Sequence, residues 1–216
     1  MPCTAKKMEA GRKEFEHDGQ PDVDLVLTTQ EVIQMIKEAG IRFNELPDEA
    51  PDMPFGLGTG AGVIFGTTGG VAEAVVRRVM ESESRNTLQE IAYSGVRGME
   101  GVRAVELPVG EKIIRVGVVH GRKNARQLIA KMEAGKEHFD LVEVMTCTNG
   151  CVGGAGQPRG LTPQKQARAE GLYEADRGSL IKSSQANPIL KRRSMRSCRL
   201  RRRTSCCTST IRSRKK

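Results

Sequence analysis

A strand, a helix and a second strand follow one another in the middle of this chain, and a glycine-rich cysteine pair comes directly after them. Residues 113–120 predict a strand, residues 124–134 a helix that ends at Gly135, and residues 139–145 a second strand. This spacing is typical of a βαβ unit, so we predict an α/β fold with a mostly parallel, twisted sheet flanked by helices. Cys147 follows the last strand, at the edge where open α/β sheets bind their ligands.

The earlier part of the chain predicts a strand and two helices around a glycine-rich loop. Residues 22–28 are a short apolar run of strand type, and residues 29–40 predict a helix with a threonine cap and a glycine stop. Residues 55–70 are rich in glycine and lead into a helix over 71–80. They match neither a P-loop nor the strict dinucleotide-binding pattern. Two interpretations stay open: close backbone packing, or a loop that wraps a bulky ligand with Phe65 as an apolar wall.

Three cysteines lie among small residues: Cys3 near the start, and Cys147 and Cys151 in the sequence Cys-Thr-Asn-Gly-Cys-Val-Gly-Gly-Ala-Gly. Buried structural thiols are one interpretation, but the glycine-rich run is unlike a core and leaves backbone amides free to donate to sulfur. A pair plus a distant single cysteine is a poor disulfide framework, which favours metal or cluster ligation in a reducing compartment. An iron–sulfur cluster usually takes four thiolates, one more than these three. Zinc stays open, although no histidine accompanies the cysteines at the usual spacing.

The net charge of +9 belongs to the end of the chain. Residues 192–216 contain 11 of the 35 Lys and Arg residues and no acid, which leaves residues 1–191 with 24 basic and 26 acidic side chains. We therefore expect a disordered basic tail after a nearly neutral body, and no nucleic-acid partner for that body. No apolar stretch is long enough to span a bilayer and no secretory segment opens the chain, so no membrane association is expected.

The two cysteine sequences resemble signatures of the iron-only (FeFe) hydrogenases. Met1-Pro-Cys-Thr-Ala-Lys-Lys resembles the second active-site signature of that family, and the sequence from Glu143 to Pro158 resembles the third. Between them, residues 60–74 are similar to the glycine-rich loop and helix that line the active site. The resemblance covers residues 1–191 and identifies them as the C-terminal part of the catalytic subunit, a partial catalytic, or H-cluster, domain.

The resemblance implies an H-cluster, in which a 4Fe-4S cubane is joined through a cysteine sulfur to a di-iron unit that carries CO and cyanide. Cys3 and Cys147 would bind the cubane, and Cys151 would bridge it to the di-iron unit. The implied reaction is the reversible conversion of two protons and two electrons to H2. The implied partner is a ferredoxin or an NAD(P)-linked subunit, and the implied location is the cytoplasm.

The resemblance also assigns four side chains around the di-iron unit. Lys6 would hydrogen-bond a cyanide of the distal iron, a role consistent with a cation beside thiolates. Met1, Met145 and Phe65 would pack around the unit and limit the access of water and gas. The three histidines receive no role, because each is expected to be a surface residue or a satisfied core residue.

Departures from the family pattern limit what this chain is expected to do alone. The first family signature, which supplies the fourth cubane ligand and a proton-transferring thiol, has no counterpart here, so we expect a truncated and inactive fragment. The tail does not match the family, and a frameshift near Arg192 would explain it.

Two other classes stay open: a hydrogenase-like iron–sulfur assembly factor, which shares the fold without making hydrogen, and a nucleic-acid-binding protein that acts through its tail.

Overall fold

A computed structural model of the 216-residue chain describes residues 1–49, 57–80, 89–109 and 111–189. The proposed boundary between a domain over residues 1–191 and a tail over 192–216 therefore lies outside the described residues, as does the frameshift interpretation. Among the described residues, no helix combines the length and the apolar character that crossing a bilayer requires.

The α-helices begin and end at recognisable signals in the sequence. Thr28 and Glu31 form a reciprocal capping box at the start of the second helix, and Gly40 follows that helix with a φ of 67°. The helices are α1 (Ala5–Ala10), α2 (Thr29–Glu38), α3 (Gly60–Val63), α4 (Gly70–Val79), α5 (Arg122–Glu133) and α6 (Thr162–Gly178). The predicted helices over 29–40, 71–80 and 124–134 are thus confirmed.

The predicted strand over residues 22–28 is wrong. A short hairpin ends just before this segment, with two strands of two residues each, β1 (Glu16–His17) and β2 (Gln20–Pro21). The segment itself pairs with no strand. Its carbonyl groups bind the start of the chain instead, since Val26 O accepts the Lys7 ammonium at 2.9 Å. Of the apolar residues that suggested a strand, Val23 and Leu25 are exposed, by 43% and 70%, and Val26 and Leu27 are half-buried.

The main sheet has three described strands in the order β3 (Val102–Val109), β4 (Lys112–His120) and β5 (Leu141–Met145). The predicted βαβ unit is confirmed, because β4 and β5 are parallel and joined through α5. The α/β class is also confirmed. The sheet is mixed rather than mostly parallel, since β3, which we did not predict, pairs antiparallel with β4. The described residues contain one βαβ unit of this kind.

Two apolar clusters cover the two faces of the sheet. Val116 and Val118 of β4 are fully buried on one face, against α4 and the π-helical turn Ala92–Val96. On the other face, Val119 packs with Leu128 of α5 and with nearby apolar residues. Burial on both faces makes β4 the centre of a three-layer α/β arrangement.

A buried ionic cluster joins α4 to α6. Arg77 binds both carboxylate oxygens of Asp176, at 2.9 and 2.7 Å, and also Glu73 at 2.5 Å. Arg97 binds Glu73 and Asp176 at 2.8 Å and stacks 4.4 Å from the centre of the Tyr173 ring. We call Glu73, Arg77, Arg97 and Asp176 the ionic quartet. Its two positive and two negative charges balance, as a buried charge cluster requires.

Glycines of the segment before α4 allow close packing. A Cβ on Gly60 would lie 2.0 Å from Asp176 Oδ1, and one on Gly66 would lie 2.6 Å from Leu172 Cδ1. A Cβ on Gly70 would lie 1.8 Å from the carbonyl oxygen of Ile64. These contacts support the packing interpretation of the glycine-rich loop, since no larger residue fits at these positions.

Candidate metal centre

The cysteine pair lies in a tight loop just after β5. The Gly150 N–H donates to Cys147 O at 3.1 Å, and Cys151 then begins a 3-10 turn, Cys151–Gly153. Asn149 and Gly150 both have left-handed backbone angles, with φ of 69° and 80°. Asparagine and glycine are the residues that adopt this conformation at least cost. The Asn-Gly pair therefore lets the chain turn sharply between the two cysteines.

Backbone hydrogen bonds bring the first residues of the chain to the same place. The Gly156 N–H donates to Pro2 O at 3.0 Å, and the Thr29 N–H donates to Met1 O at 3.0 Å. A Cβ on Gly154 would lie 2.1 Å from Pro2 O. Gly154 and Gly156 thus form a cradle that only small residues could provide, and the backbone of Met1 and Pro2 lies against it.

The three thiols and Lys6 share one electrostatic environment. Burial raises the pKa of Cys151, and the charges of Cys147 and Cys3 raise it further, while Lys6 opposes the increase. The pKa of Lys6 is raised, first by its hydrogen bond to Glu9 and also by the charges of Cys3 and Cys151. Clustered thiolates repel one another unless a cation lies between them. This donor set therefore suits a positively charged inorganic centre that displaces the thiol protons when it binds.

The chemistry and surroundings of the three thiols fit an iron–sulfur centre. Cys3, Cys147 and Cys151 are all free and half-buried, and glycines follow Cys151 in the sequence, with Gly154 in close contact with Pro2 O. Among the described residues, no group of three or more His, Cys, Asp and Glu side chains converges closely enough to hold a single metal ion. The fit to a cluster therefore rests on the thiolate donors and on the glycine cradle.

The remaining predicted site residues lie around this loop to different degrees. A Cβ on Gly150 would lie 3.1 Å from Met145 Sδ, so this methionine packs on the cysteine loop. Phe65 belongs to the turn Ile64–Gly66, which contacts the turn Cys151–Gly153, although the ring is 47% exposed. Met1 is 52% exposed, and the Lys6 ammonium is paired with Glu9.

Glu143 is a buried site residue that our reading of the sequence missed. It lies in β5 and accepts hydrogen bonds from the Gly69 N–H at 2.6 Å and the Ala72 N–H at 2.8 Å. These are free amides at the start of α4, where a negative charge is favoured. Glu143 therefore ties the strand before the cysteine loop to the glycine-rich segment. The sequence did contain one signal for its burial, which is its inward position in the predicted strand over residues 139–145.

Two of the three histidines are surface residues, as expected. His17 pairs with Asp22 and is 74% exposed, and His138 is exposed. His120 is 3% exposed and both ring nitrogens have partners, so it is the satisfied core residue that the sequence allowed.

The comparison with protein families tests the resemblance that the two cysteine sequences indicate. The family described as iron-only hydrogenase large subunit, C-terminal domain, matches residues 1–155. This chain belongs to that family. The predicted family resemblance is thereby confirmed, and with it the association with hydrogenase, oxidoreductase and iron–sulfur chemistry.

Individual relatives agree with this assignment. The chain is 44% identical over 192 residues to the NADP-reducing hydrogenase subunit HndD of Solidesulfovibrio fructosivorans, which covers 88% of this chain and 33% of that protein. It is also 33% identical to a probable cytosolic Fe-S cluster assembly factor, oxy-4, of Caenorhabditis elegans, over 81% of this chain and 40% of that protein. A variant of the FeFe hydrogenase HydA1 of Chlamydomonas reinhardtii matches in structure, with a TM-score of 0.66 and 35% identity, over 89% of this chain and 56% of that one. The chain thus spans 33% and 40% of the length of the two curated relatives and 56% of the hydrogenase in the solved structure.

Proposed function

We propose that this chain forms part of the catalytic domain of an iron-only hydrogenase, which converts protons and electrons reversibly to H2. The observation that carries the proposal is the packing of Pro2, the neighbour of Cys3, against Gly154 and Gly156 of the segment that follows Cys151. Cys151 lies almost 150 positions after Cys3 and Lys6 in the sequence, and the charges of Cys3 and Lys6 nevertheless act on the pKa of Cys151. The family supplies the reaction class, and the thiol cluster supplies a place for the centre that such an enzyme needs.

Each cysteine has a proposed role. Cys3 and Cys147 would bind a 4Fe-4S cubane, and Cys151 would bridge the cubane to a di-iron unit with CO and cyanide ligands. The family assigns the fourth cubane ligand to its first signature, which has no counterpart in this sequence. When bound, this H-cluster supplies the irons at which hydrogen is made or split. The protein holds the cluster through its thiolates and controls which groups reach it.

The other side chains would tune the surroundings of the centre. The ammonium of Lys6 is near Cys3 and Cys151 and would donate a hydrogen bond to an anionic ligand, for which it would leave Glu9. Met145 lies on the cysteine loop, and with Phe65 and Met1 it would keep water away from the centre. Exclusion of water strengthens every charge interaction inside such a site.

Electrons would come from a redox partner, either a ferredoxin or an NAD(P)-linked subunit. The NADP-reducing function named for the relative in Solidesulfovibrio fructosivorans supports the second choice. We keep both as proposals, because the chain covers only 33% of that relative.

Cluster uptake tests the proposal directly. The full chain would be reconstituted anaerobically with iron and sulfide, and iron, sulfide and the electron paramagnetic resonance spectrum would be measured. We expect Cys3→Ala, Cys147→Ala and Cys151→Ala each to lower the bound iron strongly. Cys198→Ala, which removes a thiol from the tail, is the matched control and should bind iron like the unmodified chain. Full iron binding by both the Cys147→Ala and Cys151→Ala variants would refute the proposed site.

A second candidate function is iron–sulfur protein assembly, which the similarity to oxy-4 supports. The higher identity to the hydrogenase subunit, 44% against 33%, favours the hydrogenase. Co-expression of the chain with the proteins that build the H-cluster separates the two. Iron-bound carbonyl bands in the infrared spectrum support the hydrogenase proposal, whereas a cluster without such bands supports the assembly function. The H2 assay is expected to show no activity of this chain alone.

A further inference from the structure

His120 is a buried residue at the end of the central strand. It is the last residue of β4 and lies beside Met145 in the register of the parallel strands. Its backbone N–H donates to Gly101 O at 3.0 Å, and its carbonyl oxygen accepts from Asn124 Nδ2 at 2.9 Å. Both backbone polar groups of His120 are thus hydrogen-bonded, and the imidazole is attached to a rigid strand.

The two ring nitrogens contact groups of opposite kinds. Nδ1 lies 3.2 Å from the backbone nitrogen of Asn149, which can only donate. Nε2 lies 3.2 Å from Met99 O, which can only accept. Both bonds form together only when Nε2 carries the proton and Nδ1 is free, because the neutral imidazole has one donor and one acceptor. The partners thus assign a single neutral tautomer to His120.

The amide that His120 accepts from belongs to the turn between the two cysteines. Asn149 is 7% exposed, has a left-handed φ of 69°, and lies two residues from each cysteine. Apart from Asp18, it is the one non-glycine residue of the described chain with a positive φ. Without His120 this buried N–H would lose its partner, and the strained turn would lose the contact that sets its direction.

We infer that His120 is a positioning residue, which sets the arrangement of the Cys147 and Cys151 thiols by holding the Asn149 amide. The centre on which it acts is the one under "Proposed function", and the inference rests on that proposal for the nature of the centre. The hydrogen bond itself does not depend on it. His120 touches neither thiol in this arrangement and acts through the backbone of the turn.

Three substitutions separate the two bonds of the ring. In His120→Asn, the side-chain oxygen can take the place of Nδ1 and accept from Asn149. In His120→Gln, the longer amide can reach toward Met99 in place of Nε2. His120→Leu keeps a similar volume and makes neither bond. If the bond to Asn149 holds the turn, the turn in His120→Asn should be as stable as in the unmodified protein. In His120→Gln and His120→Leu it should be less stable.

The first measurement is amide hydrogen exchange of Asn149 in the metal-free chain. We expect exchange to be about tenfold faster in His120→Leu and His120→Gln, the change expected for loss of one hydrogen bond. In His120→Asn the rate should stay near that of the unmodified chain. The second measurement is the resonance spectrum and the midpoint potential of the reconstituted cluster, which should change in the same two variants.

The outcomes distinguish this inference from the proposed function. An unchanged exchange rate at Asn149 in His120→Leu overturns the inference. So does an unchanged rate in His120→Gln together with a faster rate in His120→Asn. If His120→Leu does not fold, the comparison of the Asn and Gln variants decides alone. Absence of cluster uptake by the unmodified chain overturns the proposed function, and the exchange rates still decide whether His120 holds the turn.

Discussion

Replacement of Asp176 by asparagine should destabilise the protein strongly, because it unbalances the ionic quartet. The side chain of Asp176 is only 5% exposed, and it accepts hydrogen bonds from both Arg77 and Arg97 at 2.7–2.9 Å. In Asp176→Asn, an amide group without charge faces two guanidinium groups, and Glu73 is left to balance both. Removal of one partner from a buried ion pair costs about 3–5 kcal/mol. That is a large fraction of the roughly 5–15 kcal/mol by which domains are usually stable.

Urea unfolding of the full chain, followed by far-ultraviolet circular dichroism, measures this loss. The matched control is Glu170→Gln on the same helix, which removes a pair between Glu170 and Arg177 whose side chains are 61% and 58% exposed. An exposed pair contributes at most about 1 kcal/mol. Equal losses in the two variants would show that the quartet does not stabilise the fold.

The pH dependence of Asp176 gives an independent check of the same reasoning. Burial opposes its ionisation, but the hydrogen bonds and charges of Arg77 and Arg97 outweigh burial and lower its pKa. A carboxylate with a lowered folded pKa stabilises the protein above its unfolded pKa of about 3.9, and this contribution is lost as the pH falls through the folded pKa. The difference in stability between the unmodified chain and Asp176→Asn should therefore be full at pH 7 and shrink below about pH 4. A difference that stayed constant with pH would contradict the assignment of charge to Asp176.

Three further substitutions test local features by the same unfolding assay. Thr28→Ala removes the side-chain cap of α2 and should cost about 1 kcal/mol; no loss would mean that Glu31 alone holds the start of the helix. Gly171→Ala lies in an exposed part of α6 with nothing within 4 Å of the new Cβ, so it should stabilise the chain by about 0.5–1 kcal/mol. Gly70→Ala would place its Cβ 1.8 Å from Ile64 O and should cost about 1–3 kcal/mol, and neutral behaviour would disprove the close packing.

The parts of the fold that local sequence could predict are those with their own signals. The unit of β4, α5 and β5 has apolar strands and a helix that ends just before Gly135, whose φ is 67°. Strand β3 was missed although its buried residues alternate, because Arg103 occupies a buried position and Pro108 interrupts the pattern. The reverse error, a predicted strand over residues 22–28, arose because apolar residues there suggested burial, whereas the segment has no partner strand.

In the candidate site, too, the residues with a local sequence signal could be predicted, and those whose role depends on distant partners could not. Cys3, Cys147 and Cys151 could be found because cysteines beside glycines form a short recognisable sequence. Glu143 and His120 could not be assigned, because their roles depend on amides that lie far away in the chain, at positions 69–72 and 149. No periodicity or spacing in one sequence identifies which distant N–H a buried side chain will accept from.

The buried polar side chains of the sheet share one structural role. Arg103 of β3 donates to the carbonyl oxygens of Val96, Gly98 and Glu100, and also to that of Thr68. Glu143 of β5 accepts from amides at the start of α4, and His120 of β4 accepts from an amide of the cysteine loop. Loops have backbone groups that no helix or strand satisfies, and burial makes each unpaired group costly.

It follows that each described strand of the main sheet fixes a loop or a helix start with one buried polar side chain. The loop of residues 96–100 contains Met99, whose carbonyl oxygen binds His120, so two of these contacts are linked through one segment. The positions of the loops are therefore determined by the most rigid part of the protein. This arrangement predicts that the turn between Cys147 and Cys151 is already formed before any metal binds, which is the state in which the exchange of Asn149 would be measured.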